Sequence, residues 1–434
     1  MPQTRATSGP HLAIILEQPL NKQPHSPGDI IRGRVHRRVP GVAPEVRVTV
    51  TIHGRTKSKV AVRRGQHTHW YRTSINTLSA PVETQVLAAG APLHIPAGSA
   101  GESWPFAIQI PPFVNDIRSE WQRKYFRSPG GSPETPFPPP GTFSFDKESF
   151  LAGKVCSAFT EYYVQARLEL RHAHKGRMTR DSHTAIAPFP LRNVQPGPPI
   201  ADFDMRLCRR QETISAYNLV PGTGELSFGQ KTRQIFASSK VPRLTFSVTL
   251  SLPETLQVGN KGIIPVTLGV IPVNRLTSDI IHDVPQTIRI KSFNLRVKAY
   301  TDVQAEKHSF SDSGNEIRLI PVTNSLSLLN GSQGITIPVT PGQGIEAQSA
   351  PIELGQLLGI RVPTSNLEPD LITYNISHTH QLKWELGGLV ADEHFKMNGS
   401  QAVRVLPNAG RDGELPEYSK GKEALPSYGE AVNA

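Results

Sequence analysis

Hydrophobic and polar residues alternate with a period of two along several stretches of the chain. Val46, Val48, Val50 and Ile52 are separated by polar residues, and the same pattern recurs at 162–170 and 244–252. Such alternation places one face of a strand in a core and the other in water. Patterns of helical period do not continue beyond about two turns. The sequence therefore predicts an all-β fold of antiparallel sheets with little helix.

Shorter apolar runs predict further strands. One of them is irregular: Ile288 and Ile290 are followed by Phe293 and Leu295, a change of phase that predicts a β-bulge. The polar segments 259–262 and 311–316 predict a hairpin loop and a hairpin tip. The remaining strands are expected at Leu12–Leu16, Ile30–Val35, Phe106–Ile110, Ile263–Val270, Ile335–Val339 and His380–Trp384.

Proline-rich and glycine-rich stretches divide this pattern into two halves. We expect an immunoglobulin-like sandwich over 10–195, with a mobile or polyproline-like insert at about 128–141. A proline-rich hinge or linker is expected over 196–235, and a second sandwich over 236–407. The last segment, 408–434, has too few apolar residues to pack as a core, so we expect a disordered tail.

The tail contains one short element twice. Leu415-Pro416-Glu417-Tyr418 recurs ten residues later as Leu425-Pro426-Ser427-Tyr428. Proline presets an extended backbone, and the tyrosine two residues on offers a flat ring with a polar tip. This combination suits the aromatic groove of a WW domain. Two copies on one tether raise the effective concentration at a partner with several grooves. The alternative is an inert end that contains two such sequences by chance.

Positive charge is concentrated in one part of the chain. Of the formal net charge of +11, about +10 comes from the segment 31–72, where eleven Lys and Arg face the single acid Glu45. The segment is a candidate site for anionic lipid headgroups, phosphorylated segments or an acidic partner. The alternative is a solvated strand face with charged edges. The candidate residues are Arg32, Arg34, Arg37, Arg38, Arg55, Lys57, Lys59, Arg63 and Arg64.

Several function classes receive no support from the composition. Aromatic residues are not interleaved among most of the basic positions, so nucleic acid is not an expected partner. The first ten residues lack the apolar core of a secretory signal, and no apolar run is long enough for a membrane span. The only cysteines, Cys156 and Cys208, suit a reducing compartment. We therefore expect a cytoplasmic protein.

Candidate chemistry is sparse. Three His-x-His pairs, 67/69, 172/174 and 378/380, each place two rings on one face of a strand, as in some metal sites. A metal site also needs a third ligand, and none lies at an informative spacing. With fifteen histidines in the chain, such pairs arise by chance. Catalytic and nucleotide-binding motifs are not apparent. We expect neither an enzyme nor a bound metal or cofactor.

Several motifs follow one another in order along the chain. They are Ser26–Val35, Trp104–Pro111, Phe159–Ala166, Ser247–Pro253 followed by Gly259 and Ile264–Val266, and Leu367–Leu382. Together they resemble the arrestin family, and most closely the fungal α-arrestin-like trafficking adaptors. The resemblance covers about residues 10–407. One difference is that the tail motif begins with Leu-Pro where the family more often has Pro-Pro.

The resemblance implies an adaptor that binds cytosolic parts of membrane transporters or receptors. Its tail would recruit a WW-domain ubiquitin ligase of the HECT type and so promote endocytosis. The docking residues would be Leu415, Pro416, Tyr418, Leu425, Pro426 and Tyr428. Lys420 and Lys422 lie beside the motifs and are candidate ubiquitination sites. The alternative is that they only keep the tail soluble. The expected location is the cytoplasmic face of the plasma membrane or endosomes.

Two other functions remain open. An arrestin-fold cargo-sorting or signalling scaffold would have no use for two Leu-Pro-x-Tyr elements. A β-sandwich carbohydrate-active protein would need an export signal and tryptophans exposed along a groove. The four tryptophans are scattered, and we expect Trp104 and Trp384 to lie in the core.

Overall fold

Strands dominate the structure. It is a computed structural model that describes residues 3–409, apart from 18–23, 79–83, 117, 133, 150–153, 175–176, 196, 224–227, 229, 231–240, 325, 327–333, 343–349 and 364–365. The helices with described bounds are short, α1 (Glu120–Tyr125) and α2 (Leu354–Leu358). Almost all strand pairs are antiparallel. The predicted all-β class is therefore confirmed.

The first half of the chain forms a sandwich of two sheets, because its strands bury alternate residues between them. A three-stranded sheet has the order β1-β2-β6, and a six-stranded sheet is built on the long strands β3 and β8. The strands are β1 (Ala13–Leu16), β2 (Ile30–Arg37), β3 (Gly41–Arg64), β4 (His67–Asn76), β5 (Thr84–Ile95), β6 (Glu102–Gln109), β7 (Phe143–Ser149), β8 (Lys154–His174) and β9 (Arg177–Phe189).

Strands β3 and β8 each serve two surfaces. Near one end they pair with β5 and β9 and pack over the small sheet, with Val48, Val50 and Ile52 in the core. Near the other end they pair with β4 and β7, and there Val60 packs against the second half of the chain. Gly54 marks the change, because its register partner Tyr162 lies over it and leaves no room for a Cβ atom.

The second half repeats the two-sheet plan. A four-stranded sheet has the order β10-β11-β13-β17, and a seven-stranded sheet contains β12, β20, β19, β14 and β15 in that order with β16 and β18 at its sides. The strands are β10 (Met205–Ser215), β11 (Arg243–Pro253), β12 (Thr255–Gln257), β13 (Thr267–Pro272), β14 (Gln286–Ala305), β15 (His308–Arg318), β16 (Ile335–Val339), β17 (Ile352–Glu353), β18 (Leu371–Ile372), β19 (Ile376–Val390) and β20 (Glu393–Leu406).

The predicted bulge is confirmed, because the β14–β19 register shifts between Ile290 and Ser292. The predicted hairpin at 259–262 is wrong: β12 pairs with β20, and β13 pairs with β11. The segment 311–316 is also not a hairpin tip, since it lies within β15. The β14–β15 turn comes earlier, at Glu306 and Lys307.

Two proline-rich stretches are more ordered than their composition predicts. The expected linker 196–235 contains β10, which pairs with β11 along its whole length, so the linker prediction needs correction there. In the expected mobile insert at 128–141, Phe137 is buried and bridges to Val114, and the Pro140 carbonyl accepts a 2.6 Å hydrogen bond from Tyr162 Oη. These contacts fix the second part of the insert against the first sandwich.

Candidate functional site

The tail motifs lie outside the described residues. This applies to both Leu-Pro-x-Tyr elements, 415–418 and 425–428, and to Lys420 and Lys422. The position from which the tail leaves the fold is described. Gln195 N donates a 2.9 Å hydrogen bond to the Asn408 carbonyl, and Gln195 forms a β-bridge with Ala409. The tail therefore starts beside the connection between the two halves.

The candidate basic residues on β2, together with Arg38 just after it, do not form a single site. Arg32 and Arg34 are exposed on the small sheet. Arg37 is buried, and its Nη1 donates a 3.2 Å hydrogen bond to the His11 carbonyl. Arg38 Nε donates to His36 Nε2 at 3.2 Å. Arg37 therefore has a structural role, and the remaining candidates belong to a different sheet.

Along β3, two of the candidate cations share one carboxylate. Arg55 Nε lies 2.6 Å and Lys57 Nζ 3.2 Å from Glu161 Oε1 on β8. Thr4 adds hydrogen bonds to the same carboxylate from its backbone N–H and its hydroxyl. Burial by itself would raise the pKa of Glu161, but these hydrogen bonds and the charge of Lys57 outweigh it and lower the pKa. Glu161 and Arg55, whose Nη2 donates to Thr4 Oγ1, thus hold the N-terminal segment in place.

Aromatic rings accompany the same cations. Arg55 lies 5.1 Å from the centre of the Tyr163 ring, and Lys57 lies 5.4 Å from that of Phe159. The closest of these pairs joins Lys59 Nζ to the Trp70 ring at 3.7 Å. Cation–π contacts of this kind attract the cation to the face of the ring and contribute about 0.5–1 kcal/mol at exposed sites.

The far end of β3 carries cations that have no carboxylate partner in the described part of the chain. Lys59 lies directly opposite Arg72 in the β3–β4 register. Arg63 is exposed, and its Nε donates to the Gly65 carbonyl at 3.3 Å. The side chain of Arg64 lies outside the description. Among the described residues, no ion pair involves Lys59, Arg63 or Arg72. Lys59, Arg63 and Arg72 therefore form a group of cations on one hairpin whose side chains have no described carboxylate partner.

A polar network joins the two halves beneath this face. Asn375, which precedes β19, is buried, and its Nδ2 donates a 2.8 Å hydrogen bond to Ser58 Oγ. Its Oδ1 accepts from the Thr56 hydroxyl. Ser58 Oγ in turn donates to the Gln304 carbonyl at 2.5 Å. The adjoining Tyr374 packs within the core of the first sandwich. Side chains from both halves thus form one interface.

The His-x-His pairs differ in environment. His67 and His69 are exposed, and the side chains of His172 and His174 lie outside the description.

His378 is buried beside Phe143 of the first half, and its Nδ1 lies 2.8 Å from Thr301 Oγ1. Burial, with a smaller effect of His380, lowers the pKa of His378 to about 4. His380 Nδ1 lies 2.7 Å from Asp370. No group of three or more potential metal ligands occurs among the described residues.

Three residues that contact the candidate cations or join the two halves were not expected from the sequence. Glu161 and Asn375 bind partners that are 106 and 317 residues away, so sequence spacing gave no signal for them. Trp70 was visible only as one of four scattered tryptophans. Of the two expected core tryptophans, Trp384 is 3% exposed, whereas Trp104 is only partly buried.

Comparison with known proteins gives no assignment. No family model matches the chain, and no curated protein matches it either. Among the described residues, no helix is both long and apolar enough to cross a bilayer. Function must therefore be argued from the residues themselves.

Proposed function

We propose that the chain is an arrestin-like adaptor that binds cytosolic parts of membrane proteins and recruits a WW-domain ubiquitin ligase. The observation that carries the proposal is the repetition of Leu-Pro-x-Tyr at 415–418 and 425–428. Each copy supplies the proline and tyrosine that a WW groove accepts, and two copies allow bivalent capture.

The two sandwiches support the proposal as a platform. Their interface combines the apolar residues Val60 and Val303 with the hydrogen bonds of Asn375, so the halves present their outer surfaces in a fixed relation. The tail departs next to the connection between them, at Ala409. A ligase bound to the tail would be held close to cargo bound on either sandwich.

Reconstituted ubiquitination with a HECT ligase that contains several WW domains tests this function. We expect the full chain to be ubiquitinated and the Pro416→Ala/Pro426→Ala variant to lose most of the signal. Replacement of Lys420 and Lys422 by arginine reports whether the tail lysines are acceptors, and it leaves the docking motifs intact. A matched control, Glu417→Ala/Ser427→Ala, changes only the variable position of each motif.

Two outcomes separate the proposal from its alternative. Loss of modification in the proline variant but not in the control supports ligase recruitment. Ubiquitination that ignores both variants contradicts it. If the chain binds cytosolic tails of membrane proteins but no WW domain, the cargo-sorting or signalling scaffold becomes the better account.

A further inference from the structure

The end of the β3–β4 hairpin carries a strip of side chains that the adaptor function does not use. We define the hairpin strip as Lys59, Arg63, Trp70 and Arg72. Lys59 and Arg72 are register partners, and residues directly opposite share one face of the sheet. Trp70 lies opposite Ala61 and beneath the Lys59 ammonium, so it belongs to that face too. The strip is therefore one continuous surface.

Two positive charges of the strip, on Lys59 and Arg72, face each other across the two strands. Two cations placed directly opposite on adjacent strands destabilise a sheet, unless an anion lies between them. Glu306 is close to β4, but its carboxylate receives the backbone N–H of Arg72, at 3.5 Å, and forms no described ion pair with the guanidinium. By contrast, Arg55 and Lys57 on the same face share Glu161. The strip is thus the part of this face where an external anion would gain most.

Trp70 adds a second property. Its side chain is 40% exposed, although it carries a large apolar ring. Tryptophan is enriched where hydrocarbon meets polar headgroups, because its indole combines an apolar body with an N–H donor. Lys59 lies over the Trp70 ring, and the other cations of the strip are on the same face. The ring and the cations would therefore contact headgroups together.

The hairpin lies at an edge of the sheet. Among the described strands, β4 stands at the end of the order β4-β3-β8-β7 and pairs with β3. The other face of the hairpin is fixed to the second half, where Tyr71 stacks on His308 with ring centres 3.6 Å apart. The strip is consequently held on the outside of the molecule by packing on its reverse side.

We propose that the hairpin strip docks on an anionic membrane surface. Lys59 and Arg72 lie directly opposite each other and can share one anion, but Arg63 is on the order of 13 Å along the strand from Lys59, too far to contact the same phosphate group. A phosphorylated peptide is usually held by cations that converge on one site. A bilayer instead offers many headgroups at once and an interfacial layer for Trp70. Charges spread along an edge of the sheet fit that partner best.

Vesicle sedimentation with the full chain tests the inference. The probes are vesicles of phosphatidylcholine alone and of phosphatidylcholine mixed with phosphatidylserine. Each Lys or Arg near an anionic surface contributes about 1 kcal/mol, so Lys59→Gln/Arg72→Gln should weaken binding to the anionic vesicles about 25-fold. The matched control is Arg209→Gln/Arg210→Gln, which removes the same charge from exposed positions of β10 in the second half.

Salt concentration separates the roles of the two kinds of residue. At high salt the contribution of the cations is screened. Residual binding should then depend on Trp70, so Trp70→Ala lowers it while Lys59→Gln/Arg72→Gln has little further effect. Circular dichroism confirms that each variant keeps its strand content before binding is compared.

Three results would overturn the inference. Equal binding to neutral and anionic vesicles removes the electrostatic basis, and equal loss in the two double variants reduces the effect to overall net charge. Binding of a phosphoserine peptide that depends on Lys59 and Arg72, without vesicle binding, assigns the strip to phosphorylated segments. The inference rests on the proposed role at membranes. Vesicle binding tests the hairpin strip and WW-domain binding tests the tail, so either proposal can fail while the other holds.

Discussion

Asn375 Nδ2 donates a hydrogen bond of 2.8 Å to Ser58 Oγ, from the second half of the chain to the first. Asn375 is 3% exposed, and its Oδ1 also accepts from Thr56 and Thr373. A buried amide with these partners is costly to remove, because the hydroxyl groups around it would lose their hydrogen bonds in a place that water does not reach.

Replacing Asn375 with alanine should therefore destabilise the protein. We expect a decrease of about 2–4 kcal/mol in the free energy of unfolding, because Ser58 and Thr56 each lose a buried partner. Urea denaturation measures this change. Asn398→Ala on the exposed face of β20 is the control and should change the free energy by less than about 0.5 kcal/mol. Equal effects of the two substitutions would show that the interface network contributes nothing.

Glu161 predicts a specific loss of stability in acid. Its pKa in the folded protein lies below the ordinary value of 4.5, because the hydrogen bonds from Thr4 and Arg55 and the charge of Lys57 outweigh the opposite effect of burial. A lowered pKa means that the folded state binds fewer protons than the unfolded state. The stabilisation is complete above pH 4.5 and is lost as the pH falls through the folded pKa.

Glu161→Gln tests this contribution. We expect lower stability at neutral pH and a flatter dependence of stability on pH below about 4.5, measured as the melting temperature across a pH series. Glu254→Gln is the matched control, since Glu254 forms an exposed ion pair with Arg206 and such pairs contribute little. An unchanged acid profile in Glu161→Gln would contradict the assignment.

His378 predicts a second pH effect in a different range. Burial and the neighbouring His380 lower its pKa from 6.5 to about 4, so the unfolded state takes up its proton first. His378 therefore does not reduce the free energy of unfolding above pH 6.5. As the pH falls from 6.5 toward 4, the free energy of unfolding decreases by at most about 3 kcal/mol.

His378→Gln retains a hydrogen-bonding group near Thr301 but cannot titrate. We expect it to reduce the loss of stability between pH 6.5 and 4, because His25, His53 and His183 also have lowered pKa values and keep their share of it, and to leave the effect of Glu161 at lower pH intact. His394→Gln, at an exposed position of β20, should behave like the unaltered protein. If both histidine variants retain the same pH dependence, another group is responsible.

The strand pattern was predictable where strands are half buried. Ile335–Val339 has the bounds expected from its alternation, and the change of phase after Ile290 located a real bulge. Strand β10 was missed because it is an edge strand, with exposed residues such as Leu207 and Arg209 where a buried face would have shown alternation. Its polar composition therefore resembled a linker.

The candidate basic site was predictable as an imbalance of charge but not as a surface. Sequence counts treat Arg55 and Lys59 alike. The β3–β8 register places Glu161 opposite Arg55, whereas Lys59 faces Ser157. Which cations have a carboxylate partner thus depends on pairing between distant strands, and only the three-dimensional register provides it.

The central claim is that both tail elements dock to WW domains. Titration of the full chain into a panel of WW domains tests it most directly, with Tyr418→Ala, Tyr428→Ala and the double variant, and with Glu417→Ala/Ser427→Ala as the control. We predict that binding weakens with each tyrosine change, disappears in the double variant and is unaffected in the control. Absence of binding by the unaltered chain, or binding that survives loss of both tyrosines, would contradict the claim.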